Sequence, residues 1–160
     1  MPPLTQTVEN EQELAHLAAR LAPVLQTGDL VTLQGDLGAG KTAFARTLIQ
    51  TLAGGPEEVP SPTFTLVQVY ELPRCTIWHF DLYRLAEEER DILELGWEDA
   101  CREGVALVEW PERLGGLLPP NRLEIDIRFI TGKDTARELI LTPHGGFAGR
   151  LPGVFEEGLK

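Results

Sequence analysis

A chain of 160 residues supplies one hydrophobic core and leaves too little material for a second, so a single domain is expected. Fourteen basic residues against 25 acidic ones give a formal net charge of -11, which repels a phosphate backbone. No Lys/Arg cluster offsets it, so broad electrostatic binding to nucleic acid is excluded, and 42% apolar with 24% charged residues excludes a disordered chain.

The N-terminus, Met1-Pro2-Pro3-Leu4, has no basic region followed by an apolar stretch. Nowhere do roughly 18 apolar residues run together, so a soluble, cytoplasmic chain with no membrane contact is expected. From Glu11 to Gln26 the residues Leu14, Leu17, Ala18, Leu21 and Leu25 keep helical spacing, with Asn10 and Glu13 suited to cap the start. Pro23 is expected to bend the last turn and Gly28 to end the helix. Leu30 to Gln34 reads as a short buried strand, and Lys41 to Ala53 as a second helix stopped by Gly54-Gly55-Pro56.

Thr63 to Glu71 and Thr76 to Phe80 read as two strands whose short connection around Pro73 predicts an antiparallel hairpin. Short helices are expected over Glu87 to Leu95 and Glu98 to Arg102, around Gly96. Ala106 to Val108 reads as a buried strand ending at Glu109-Trp110-Pro111, and Leu123 to Ile130 should pair with Glu138 to Thr142 across Thr131-Gly132-Lys133-Asp134. After Pro143 glycine and proline dilute the apolar residues. The expected organisation is one domain over residues 1–142 and a loosely ordered C-terminal tail over 143–160. Cys75 and Cys101 lack metal-site or disulfide spacing and read as two reduced structural thiols.

The chemistry concentrates between the first buried strand and the second helix. Gly35-Asp36-Leu37-Gly38-Ala39-Gly40-Lys41-Thr42 fits G-x-x-x-x-G-K-[ST], whose backbone N–H groups wrap phosphates. Lys41 would bring a point charge to the outer phosphates of ATP or ADP, the Thr42 hydroxyl would ligate Mg²⁺, and the helix opening there adds its positive end. Strand, loop and helix in that order predict an α/β fold, a P-loop NTPase-like mixed sheet flanked by helices.

Such a loop needs an acidic partner for its metal. Asp81, at the end of the Ile77-Trp78-His79-Phe80 strand, is the candidate, where the plain reading is a turn residue. His79 either orients the site or is a satisfied half-buried histidine. Glu109 ends a third strand, where it either orients water against the terminal phosphate or leaves the strand as a surface glutamate. Trp110 is a lid over the nucleotide or a core anchor. Ser61-Pro62-Thr63-Phe64 is a loop whose hydroxyls sense the γ-phosphate or simply a turn entering a strand. Neither the Asn-Lys-x-Asp guanine motif nor the Leu-Ser-Gly-Gly-Gln transporter signature is present. A small-molecule kinase stays open, with Arg84 to Arg90 a faint lid candidate.

Beyond the loop, Ser61-Pro62-Thr63-Phe64, His79-Phe80-Asp81-Leu82-Tyr83-Arg84, Glu94-Leu95-Gly96-Trp97 and Val108-Glu109-Trp110-Pro111-Glu112 follow in order. With these motifs the chain resembles the TsaE (YjeE) ATPases of bacterial tRNA threonylcarbamoyladenosine synthesis, from about Asn10 to Thr142. The resemblance implies ATP with Mg²⁺, weak hydrolysis by the isolated protein, and work beside TsaB and TsaD, through which tRNA is met only indirectly. It implies that Lys41 and Thr42 serve phosphates and metal, that Asp81 is the Walker B-like carboxylate, and that Thr63 lies in a switch-like segment. Glu109 would be needed for hydrolysis, with Trp110 near the nucleotide. Relatives often carry a threonine in the first helix where this chain has Glu13-Leu14, so no adenine contact is carried over. The expected function is an accessory ATPase; the alternatives are a small-molecule kinase and a non-hydrolysing nucleotide-dependent assembly switch.

Overall fold

The computed structural model describes residues 3–55, 66–83 and 89–150, with the side chains of 89–91 excepted. Ser61 to Phe64, Thr63 among them, and the Arg84 end of the lid candidate lie outside the described residues. Within those residues seven strands form one sheet in the order β1-β7-β6-β2-β5-β4-β3. They are β1 (Leu4–Val8), β2 (Leu30–Gln34), β3 (Val67–Glu71), β4 (Thr76–Asp81), β5 (Val105–Glu109), β6 (Arg122–Ile130) and β7 (Lys133–His144). The helices are α1 (Glu11–Leu21), α2 (Lys41–Ala53), α3 (Glu89–Glu94) and α4 (Trp97–Glu103).

β2 runs parallel to both β5 and β6, and β4 parallel to β5. β3 pairs antiparallel with β4, as do β1 and β6 with β7, so the sheet is mixed, as expected. The parallel centre is covered on both faces, as parallel sheets require. Alternation along each strand divides the core. Val31, Leu33, Val105, Leu107, Ile125 and Ile127 meet α1 and α2 on one face. Leu30, Phe80, Ala106 and Val108 meet Ile92, Trp97, Ala100 and Leu114 on the other.

Local signals place the first helix. The Asn10 side chain accepts a hydrogen bond from the Glu13 N–H at 2.9 Å, and the Glu13 carboxylate reaches back to the Glu9 N–H at 2.9 Å. The helix stops at Leu21, where a 3-10 turn over Ala22–Val24 carries Pro23, five residues short of the expected Gln26. Pro23 cannot donate to the preceding turn, which accounts for the early stop.

Two expectations need correction. β1 lies outside every predicted element: Leu4–Val8 pairs with β7 along Val8↔Arg137 to Leu4↔Leu141. The loose tail expected from Pro143 is also not found over its first part. β7 continues through His144, a 3-10 turn spans Gly145–Gly149, and Phe147 is buried. Arg150 ties this segment to the start of β2 through two 2.7 Å bonds to Asp29. Residues 151–160 lie outside the described residues.

Candidate nucleotide site

The parallel strands β2, β4 and β5 end on the same edge, and the loop after β2 arches over that edge into α2. Ligand sites of open α/β sheets form at such strand ends. The loop needs glycine at defined places. Gly35 has φ +148°, and a Cβ there would stand 2.5 Å from the Ile127 carbonyl oxygen; Gly40, at φ +119°, caps α2. A cleft of about 710 Å³ opens beside the loop, within the size range of small-molecule sites. Leu37, Gly38, Ala39, Gly40, Lys41 and Thr42 line it together with Asp81, Glu109 and Trp110. The sequence-predicted residues from three separate segments therefore meet in one place. Gly35 and Asp36 contribute through their carbonyls, which accept from the Lys41 ammonium.

Register explains the convergence. Asp81 stands opposite Glu109, and Glu109 opposite Leu33. Ile77, His79 and Asp81 alternate onto the face of β4 that meets α2, as do Val105, Leu107 and Glu109 on β5. Glu109 is only 2% exposed, so it is not the surface residue of the plain reading. A carboxylate buried this deeply is costly unless hydrogen-bonded. The Thr42 hydroxyl donates to it, 2.9 Å from Oε1 and 3.2 Å from Oε2, and His79 Nε2 stands 2.7 Å from Oε2. Asp81, buried as well, accepts from the Tyr83 N–H at 3.1 Å.

Lys41 is 5% exposed. Burial holds its ammonium below the ordinary 10.5, against the opposing pull of Glu109, Glu112, Asp81 and Asp36. Its Nζ lies 3.8 Å from the centre of the Trp110 ring, a cation–π contact. Trp110 adopts the left-handed region, φ 62° and ψ 54°, which costs a non-glycine residue about 1–2 kcal/mol. The following Pro111 already disfavours the ordinary helical alternative. The outcome is an indole set over Lys41 and tilted against the Tyr83 ring at 4.8 Å. Trp110 is thus a wall of the cleft.

These residues fit phosphates and a hard cation. The Thr42 hydroxyl spends its proton on Glu109, which leaves its oxygen lone pairs for a metal, and the Asp81 carboxylate at the same cleft adds a second oxygen donor of the kind that suits Mg²⁺. Sequence reasoning missed the far end of the cleft, formed by Asn10, Glu11 and Leu14 with Thr135 and Arg137. The Thr135 hydroxyl donates to the Glu9 carbonyl at 2.9 Å, and Arg137 Nε donates to the Ala39 carbonyl at 3.1 Å. The β1–β7 pairing and these two bonds bring the segments together, and nothing local in the sequence signals them. Tyr83 was legible only as part of the motif around Asp81.

A glycine-rich loop between a central parallel strand and a helix, with carboxylates at the neighbouring strand ends, defines the P-loop NTPase-like class of α/β folds. Comparison with known proteins narrows the class. The family profile described as "Threonylcarbamoyl adenosine biosynthesis protein TsaE" matches residues 8–139, and this chain belongs to that family. A TsaE protein of Rickettsia felis is 43% identical over 123 residues, covering 77% of this chain and 71% of the relative. One from Haemophilus influenzae is 35% identical over 97% of this chain and 99% of the relative, and one from Bacillus subtilis is 37% identical over 85% and 83%. The crystal structure of Bacillus subtilis YdiB superposes with a TM-score of 0.76 at 31% identity, covering 97% of this chain and 93% of that one. Among the described residues no helix is long and apolar enough to cross a membrane.

Proposed function

We propose that this chain is an accessory ATPase of tRNA threonylcarbamoyladenosine synthesis in the cytoplasm, binding ATP at the Gly35 to Thr42 loop and hydrolysing it slowly. The observation that carries the reading is the meeting of Lys41, Thr42, Asp81 and Glu109 at one cleft from three segments. The loop amides and Lys41 bind and orient the phosphates, and the Trp110 ring, with Tyr83 packed against it, covers Lys41. Thr42 and Asp81 would hold Mg²⁺, which supplies charge neutralisation at the phosphate oxygens. Glu109 orients the attacking water and receives its proton as the bond from the γ-phosphorus to the ADP oxygen breaks. Phosphoryl transfer asks little else of a protein than such positioning.

The relatives carry the tRNA modification in their names, which supports the same pathway for this chain. With a net charge of -11, tRNA contact falls to partner proteins, the TsaB and TsaD counterparts, and such partners commonly complete an ATPase site. The test is nucleoside mass spectrometry of tRNA from a strain depleted of the protein. Threonylcarbamoyladenosine should fall, wild type should restore it, and Lys41→Ala should not. Normal modification after full depletion, with no substitute protein present, contradicts the assignment.

A further inference from the structure

Among the described residues, His79 is a fully buried titratable side chain to which the proposed chemistry gives no part. It lies in the middle of β4 on the face that packs against α2, where Ile77 two residues earlier fills an apolar core position, and it is 0% exposed. Burying an imidazole there in place of an aliphatic residue is costly unless both ring nitrogens find partners. His79 has one: Nε2, 2.7 Å from Glu109 Oε2, whereas Nδ1 has no partner among the described residues. A buried ring nitrogen without a partner calls for an explanation, and the bond from Nε2 to Glu109 supplies one.

We infer that His79 is a positioning residue, which pins the Glu109 carboxylate in the rotation that hydrolysis needs. The Glu109 carboxylate is otherwise loosely specified. Its terminal torsion is broad and two-fold, and the Thr42 hydroxyl sits within reach of both oxygens, at 2.9 and 3.2 Å. Donation from His79 Nε2–H to Oε2 assigns that oxygen to the strand and leaves Oε1 toward Thr42 and the cleft. It also fixes the ring tautomer, with the proton on Nε2. His79 does not line the cleft, so it acts on the reaction through Glu109 and not on ATP. The inference rests on the reading of Glu109 as the hydrolytic carboxylate.

The test uses the full chain with ATP and Mg²⁺, measuring phosphate release in single turnover and ATP affinity separately, for wild type, His79→Leu, His79→Gln and His79→Asn. A lost hydrogen bond to a charged group predicts release about ten- to a hundredfold slower in His79→Leu. ATP affinity should stay within about threefold, because no ATP contact is removed. His79→Gln should recover most of the rate, since its amide nitrogen reaches the place of Nε2, and His79→Asn, too short to reach it, should not. Where His79→Leu fails to fold, the Gln and Asn pair carries the same comparison. Equal rates for Gln and Asn, or wild-type release from His79→Leu, overturn the inference, as does a joint loss of rate and affinity that Gln does not repair. A wild-type chain that releases no phosphate sinks the hydrolytic reading itself and this role with it, whereas a hydrolysing wild type with an indifferent His79 sinks this role alone.

Discussion

Replacing Gly35 with alanine strikes the loop where it crosses β6. The added Cβ would stand 2.5 Å from the Ile127 carbonyl oxygen and 3.2 Å from the Ala39 Cβ, on a residue whose φ is +148°. Two costs add. A side chain in that backbone region is strained by about 1–3 kcal/mol. Relieving the clash moves either the loop or the β6 backbone, an overpacking cost of about 1–3 kcal/mol more. Gly38→Ala is the control: its φ is +82°, but a Cβ there meets nothing within 4 Å, which leaves only a left-handed backbone cost of about 1 kcal/mol. For a domain of this size each kcal/mol shifts the melting temperature by about 2–4 °C. Thermal unfolding followed by circular dichroism should therefore show Gly35→Ala melting at least about 4 °C below wild type and below Gly38→Ala. A Gly35→Ala protein that melts within about 1 °C of wild type, or no lower than Gly38→Ala, refutes the close approach of loop and β6.

Three further outcomes follow from single side chains. Lys41 is held below 10.5 by burial, and phosphates favour its charged form, so ATP affinity should be flat at neutral pH and fall as pH rises through the lowered value. Lys41→Arg, charged throughout, should remove that fall in a pH series of binding titrations; on the folding side, the free protein should gain stability between the lowered value and 10.5, where the unfolded lysine still binds the proton that the folded one has lost. Arg150→Ala removes both 2.7 Å bonds to the buried Asp29, an expected loss of about 1.5–3 kcal/mol readable as a lower denaturant midpoint at unchanged slope. Burial pushes the Cys101 thiol up to about 11, so only about one molecule in a thousand carries the thiolate at pH 8, and native alkylation followed by mass spectrometry should find Cys101 nearly unlabelled until the protein is denatured.

The sequence made β2 and α2 legible to the residue because their signals are local: a short apolar run, glycine at each end of the loop, and glycines after Ala53. β1 escaped because Leu4–Val8 alternates weakly and owes its strand state to pairing with β7, more than 125 positions away. The segment after Pro143 was misread for the same reason. Its glycines suggested looseness, while Phe147 and Arg150 anchor it through contacts with residues far back in the chain, Val24 and Asp29 among them. The loop end of the candidate site was readable because each polar residue interrupts a buried strand pattern at a parallel strand's end, as Asp81 and Glu109 do. The far end, with Asn10, Thr135 and Arg137, is a product of tertiary pairing.

The proposed division of labour at the cleft has Lys41 and the loop bind ATP while Glu109 turns it over. The most direct measurement is phosphate release from ATP and Mg²⁺ by Glu109→Gln beside wild type, with ATP affinity determined on the same samples. The amide keeps the shape of Glu109 and can still take the Thr42 hydroxyl's hydrogen bond, yet it cannot accept a proton from water. Release should fall by about a hundredfold or more while affinity stays within a few-fold. Glu109→Gln that hydrolyses ATP at the wild-type rate would contradict the account.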